Sequence, residues 1–251
     1  MERLEIAQGW LGELLPDGWP IRTSTLITGP GGSGKPLVGS VVAGNWLRGG
    51  GSVVFMSLQY PDPKFISSGV KKLTGVDVDD FAGRVAFLEF DPTHEGLEEV
   101  AKDRLRGNLV MPDIWEEGIE RGCSLVSDEG PGILVLGSAL NLLLFSPTYG
   151  SEVLERMKRT IREDRRRTYL FSVSSSAKAD MIGELEEVAD NLLVSRSTKH
   201  PFRIYLRIER MPGVTYSGSE VKLPIASDTL EEIRTVADYS RKRIIPQVSE
   251  I

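Results

Sequence analysis

The chain of 251 residues contains one cysteine and two histidines, and only 7% of it is aromatic. A lone Cys123 permits no internal disulfide, so a reducing compartment, the cytoplasm, is the expected home. His94 and His200 lie far apart, and with a single cysteine nothing carries the ligand spacing of a metal site. No Ser/His/Asp or Cys/His arrangement points to a nucleophilic enzyme. No basic start followed by an apolar run marks a leader. The longest apolar stretch, Ile133 to Phe145, falls short of the roughly 20 residues that span a bilayer, so no membrane is expected. Acidic residues outnumber basic ones by 36 to 30, a net charge of −6. That balance gives no electrostatic drive toward nucleic acid or an anionic membrane.

Against these absences stands one dense motif, Gly29-Pro30-Gly31-Gly32-Ser33-Gly34-Lys35-Pro36. It reads as a phosphate-binding P-loop in every position but the last. In such a loop the glycines let successive N–H groups face the phosphates, the lysine reaches the β and γ phosphates, and a Ser or Thr hydroxyl holds Mg²⁺. Pro36 replaces that hydroxyl and also lacks an N–H. A first helical turn accepts proline readily. The flanks fit: Ser24 to Thr28 reads as a strand entering the loop, and Leu37 to Leu47 as a buried helix leaving it. Nucleotide binding is expected at Gly29, Gly31, Gly32, Ser33, Gly34, Lys35 and Pro36.

Apolar runs recur at Val53 to Leu58, Val85 to Phe90, Ile133 to Leu136 and Tyr169 to Val173, each followed by an amphipathic stretch. Continuous rather than alternating apolar character predicts a parallel sheet covered by helices on both faces. The periodicity predicts helices over 36–48, 62–74, 95–106, 112–122, 150–166 and 183–190. Period-two segments at Asn191 to Ser195, Arg203 to Arg210 and Glu220 to Ile225 predict antiparallel strands at the C-terminal edge. Leu230 to Arg243 reads as a further helix before a tail. The length suits one domain, with a lead-in over 1–23, a core over 24–190 and an antiparallel edge and tail over 191–251. Trp10, Trp19, Trp46 and Trp115 read as core or interface anchors. A basic run from Arg156 to Arg167 reads as a solvated helix face, because Glu152 to Arg156 and Glu155 to Arg159 are favourable i,i+4 pairs. Nucleic acid is therefore not the expected partner.

Gly9 to Pro20 before the P-loop resembles the opening segment of KaiC-like ATPases of the RecA superfamily, and the likeness runs nearly the whole chain. Val53 to Pro61 is similar to the family's second core strand, Ile133 to Ser138 to its Walker B strand, Val188 to Leu193 to its Leu-Ala-Asp-Gly-Val-Ile turn, and Ile208 to Gly213 to its late Lys-Met-Arg segment. The resemblance implies a RecA-like α/β fold, ATP or ADP at the P-loop with Ser138 beside it and Arg210 reaching the γ-phosphate of a neighbouring subunit, and a homo-oligomer, commonly a hexameric ring. It also exposes degenerate positions. Gly137 stands where the family has the metal-supporting Asp, Gln59 where it has the catalytic Glu, and Pro212 where it has the second cation that crosses to the neighbouring subunit. Asp128 and Glu129 lie at the other end of the Walker B strand from any ligand. An amide cannot take a proton from water at neutral pH. Phosphoryl transfer depends on positioning and on charge stabilisation by metal and cations, each worth a few kcal/mol, roughly 10²–10³ in rate.

The expectation is a nucleotide-binding regulatory pseudo-ATPase with a protein partner, doubtful Mg²⁺ dependence and no efficient hydrolysis. A scaffold with a relic P-loop and a slow active ATPase are the alternatives.

Overall fold

The computed structural model describes residues 2–6, 9–58, 62–225, 235, 238 and 242–251. In chain order the elements are β1 (Arg3–Leu4), α1 (Trp10–Leu14), β2 (Trp19–Pro20), β3 (Ser24–Thr28), α2 (Lys35–Arg48), β4 (Ser52–Ser57), α3 (Pro63–Thr74), β5 (Val85–Phe90), β6 (Leu97–Ala101), β7 (Arg104–Gly107) and α4 (Pro112–Ser124). There follow β8 (Ile133–Ser138), α5 (Gly150–Glu163), β9 (Thr168–Ser172), α6 (Ala179–Val188), β10 (Asn191–Lys199), β11 (Phe202–Arg210) and β12 (Val221–Lys222). Residues 235, 238 and 242–249 are helical, and the rest of the predicted helix over 230–243 lies outside the described residues, as does Gln59.

Ten strands form one sheet in the order β12-β11-β10-β3-β9-β8-β4-β5-β7-β6. The run from β10 to β7 is parallel, as the continuous apolar strands predict, and β10-β11-β12 is antiparallel. The two faces of the sheet bury separate cores. On one face α2, α3 and the N-terminal segment pack over Ile27, Phe55 and Leu134. On the other, α4, α5, α6 and the C-terminal Val248 pack over Val54, Val135 and Phe171. Trp19, Trp46 and Trp115 are fully buried among them, and Trp46 Nε1 donates to Gly132 O at 2.8 Å. Helix α3 begins on Asp62, whose carboxylate accepts the Lys64 N–H, and stops on Gly75 at φ 73°, the capping chemistry that satisfies orphan helix-end groups.

One predicted element is overturned. Residues 95–106 form the β6–β7 hairpin, not a helix. Leu97, Ala101 and Leu105 repeat every four residues and so imitate a helical face. Long-range pairing prevails: β7 adds in parallel to the free edge of β5, and Arg104 and Arg106 flank Glu89 across that seam at 3.6 and 3.2 Å. Smaller differences lie at element ends. Helix α5 stops at Glu163, α6 spans Ala179–Val188, and the last strand shrinks to Val221–Lys222.

The turn that joins α6 to β10 anchors the sheet beneath the loop. Asp190 accepts from the Ser24 N–H at 2.8 Å and the Ser24 hydroxyl at 2.9 Å, while Ser24 Oγ accepts the Asp190 N–H at 3.0 Å. Arg165 completes the clamp with an ion pair to the same carboxylate. Ser24 is buried, and a buried donor left without its acceptor carries the full desolvation cost. Asp190→Ala is therefore expected to lower unfolding free energy by about 3 kcal/mol. Urea denaturation measures it, and a loss no larger than that of an ordinary surface substitution would contradict the clamp.

Candidate phosphate-binding site

The residues from Gly29 to Lys35 leave β3 at the carboxyl end of the sheet and enter α2, the place where open α/β sheets bind ligands. Their path depends on glycine. Gly29, Gly32 and Gly34 sit at φ 139°, 74° and 72°, a region that other residues rarely adopt. At Gly29 a Cβ would meet the Ser195 carbonyl oxygen of β10 at 2.0 Å. The loop is thereby pressed against the neighbouring strand. It is tied there by a 2.7 Å hydrogen bond between the Ser33 and Ser195 hydroxyls. On the other flank, the Ser175 N–H donates to Gly29 O and the Gly31 N–H to Ser176 Oγ, both at 3.0 Å. Among the described residues, no acceptor is paired with the N–H groups of Gly32, Ser33 and Gly34.

Lys35 is 6% exposed. Its Nζ donates to Gly29 O at 2.9 Å, Pro30 O at 2.7 Å and Ser33 Oγ at 3.1 Å. Burial pushes the amine down from 10.5 to about 7, because desolvation disfavours the charged form. Three oxygens around it act in the opposite sense and set how far that shift runs. The arrangement offers an anion a set of backbone donors and a cation whose charge the anion would restore.

The metal side of the loop is different. Pro36 presents no hydroxyl. At the end of β8, Gly137 and Ser138 point to opposite faces of the sheet. A Cβ at Gly137 would meet Phe171 and Leu140 at 2.7 and 2.9 Å, within the core on the side away from α2. Ser138 faces Lys35 and Pro36 instead. Among the described residues no group of three His, Cys, Asp or Glu side chains could hold a metal. The donor set fits an anion and does not fit Mg²⁺.

The structure does not bring Arg210 to this site. Antiparallel register sets it opposite Leu192, at the amino end of β10, away from the loop of its own chain. Its guanidinium donates to the carbonyls of Glu186, Ala189 and Asp190 and caps α6, a favourable place for a cation at a helix C-terminus. Pro212 follows at the same end. Residues that the sequence reading passed over do join the site: Ser176 and Ser195 hold the loop, and Ser172 accepts the Ala139 N–H behind Ser138. The carboxyl-end rule, applied to the run Ser172 to Ser176 at the end of β9, would have found them.

The basic run is neutralised within the chain. Arg156 pairs with Glu152, Glu116 and Asp113, Arg159 with Glu116, and Arg166 and Arg167 with Glu120 and Asp164. Of the two helix pairs expected, Glu152 with Arg156 is present, while Glu155 pairs with Lys158. Cys123 is buried, and desolvation pushes its thiol up to about 12.

No protein-family model and no curated protein sequence matches the chain. Among solved structures, a KaiC-like protein from the hyperthermophilic archaeon Pyrococcus horikoshii superposes with a TM-score of 0.66, over 90% of this chain and 95% of that one, at 16% identity. The fold is KaiC-like. The ten-stranded sheet with its antiparallel C-terminal edge and the loop between β3 and α2 are thus features of a RecA-type architecture. Among the described residues, no helix of this KaiC-like fold is long and apolar enough to cross a membrane.

Proposed function

We propose that the chain is a nucleotide-binding regulatory protein that holds ADP or ATP at Gly29 to Lys35 without a metal and without efficient hydrolysis. The observation that carries this reading is the pairing of unmatched loop N–H groups and a buried Lys35 with a helix start where Pro36 stands in place of the hydroxyl ligand. Backbone donors at the head of α2 take the phosphate oxygens, and Lys35 supplies the balancing charge. With Pro36 in place of the hydroxyl ligand, stabilisation of a transferring phosphoryl group is weak.

A second reading, a scaffold with a relic loop, draws on the three oxygens that already satisfy Lys35 Nζ. Thermal unfolding with ADP or ATP, with Mg²⁺ or EDTA, separates the two. At ligand near 100 Kd, binding adds about 2.7 kcal/mol, a rise of roughly 5–10 °C for a chain of this size. The proposal expects that rise to survive EDTA and to vanish in Lys35→Ala. No rise with any nucleotide supports the scaffold, and a rise that requires Mg²⁺ overturns the metal-free site. The same reading places the protein in the cytoplasm as a homo-oligomer with a protein partner, and light scattering reads the oligomeric part directly.

A further inference from the structure

Beside the loop, on the side where the metal ligand would have stood, a cavity of about 50 Å³ runs between α2, α3 and the sheet. That is room for roughly four water-sized groups. Phe55, Phe65, Ile66 and Leu136 belong to its apolar wall, and Lys35, Ser40, Ser138 and Ser172 are its polar lining. Two observations mark it as a binding site. Gly69 lines it from the middle of α3, yet a Cβ there would meet nothing within 4 Å. Glycine inside a helix costs about 1 kcal/mol against alanine, and here no neighbour demands it. Its effect is to keep the mouth of the slot open. The second observation concerns Ser172. Its Oγ accepts the Ala139 N–H, but among the described residues no acceptor takes its hydroxyl proton. A buried hydroxyl proton left over in an apolar slot calls for an acceptor supplied from outside.

We propose that this slot binds a short-chain carboxylate, its alkyl tail against Phe55, Phe65 and Ile66 and its head accepting from the hydroxyl of Ser172 beside Ser138. An apolar body with a single anionic end matches the walls, and the small volume limits the tail to a few carbons. The slot borders the loop at Lys35 and Pro36, but its acceptor site at Ser172 and its apolar wall involve none of the loop N–H groups.

Sodium butyrate is the probe, titrated into the full chain and followed by protein NMR shifts, with butylamine and butanol as the cationic and neutral analogues. Butyrate is expected to saturate at millimolar concentration, and the two analogues are expected to bind at least about tenfold more weakly. Gly69→Leu fills the slot while improving helix propensity, so it is expected to fold and to weaken butyrate by about tenfold or more. Its response to ADP stays that of the parent, whatever that response is. Ser172→Ala, which keeps the slot open, is expected to lower affinity for butyrate and to leave butanol unchanged. Absence of saturation, equal binding of the analogues, or undiminished affinity in Gly69→Leu would each overturn the proposal.

Discussion

Binding of ADP or inorganic phosphate to the loop is expected to weaken by about tenfold for each pH unit above the free-state pKa of Lys35, which burial sets near 7. The reason is a proton. A phosphate oxygen lodged at the loop favours the charged amine, so above about 7 the free protein must take up a proton in order to bind. Titration calorimetry at pH 8.5 or so in two buffers of different ionisation enthalpy would register that uptake as a buffer-dependent heat, and the dependence should vanish below the free-state pKa. Affinity that stays flat across this range would mean that Lys35 is charged before the ligand arrives. The unliganded protein carries the same linkage with its own sign. The folded pKa lies below the ordinary 10.5, so between those values the unfolded chain holds a proton that the folded chain does not. Stability therefore rises with pH through that window, by up to about 1.4 kcal/mol per unit, and the penalty is fully present below it. Lys35→Met should flatten this rise, as denaturant unfolding at either end of the window would reveal.

The second large effect is expected at Gly29. A methyl group there has nowhere to go, since it would stand 2.0 Å from a main-chain oxygen of β10 at a φ of 139°. Neither the strand nor the dihedral can yield without moving the loop. Gly29→Ala should lower unfolding free energy by about 3 kcal/mol and Tm by roughly 6–12 °C, and it should abolish any stabilisation by nucleotide. Gly32→Ala is the matched comparison. It has a positive φ of 74°, but its Cβ meets nothing within 4 Å, so only the local backbone cost of about 1–2 kcal/mol remains. Equal losses in the two variants would refute the role given to the contact with β10.

How far the sequence carried can be judged from particular residues. The strand, loop and helix from Ser24 to Arg48 were legible because glycine and proline positions encode backbone geometry directly. The parallel strands β4, β5, β8 and β9 were legible because burial on two faces leaves continuous apolar runs. The β6–β7 hairpin was not, since its helical spacing is local and the partner that overrides it, Phe87 to Phe90, lies ten or more residues away. The same limit governs the site. Lys35 and the glycines were found within one motif, whereas Ser176 and Ser195 reach the loop only because β3 is seated between β9 and β10. The place of Arg210, at the end of the sheet away from its own loop, follows from register with β10 and not from the motif that names it. The basic run was legible only as pairs within its own helix, because the carboxylates Glu116 and Glu120 that also hold Arg159 and Arg167 belong to α4.

The two outer strands of the sheet bear on how copies of this chain avoid clumping. One border is β12, only two residues long. The other is β6, whose register slips between Glu99 and Ala101 and whose Glu98 and Glu99 face solvent. A long, flat, uncharged border would template main-chain pairing with a second molecule. Among the described residues neither border offers such a template.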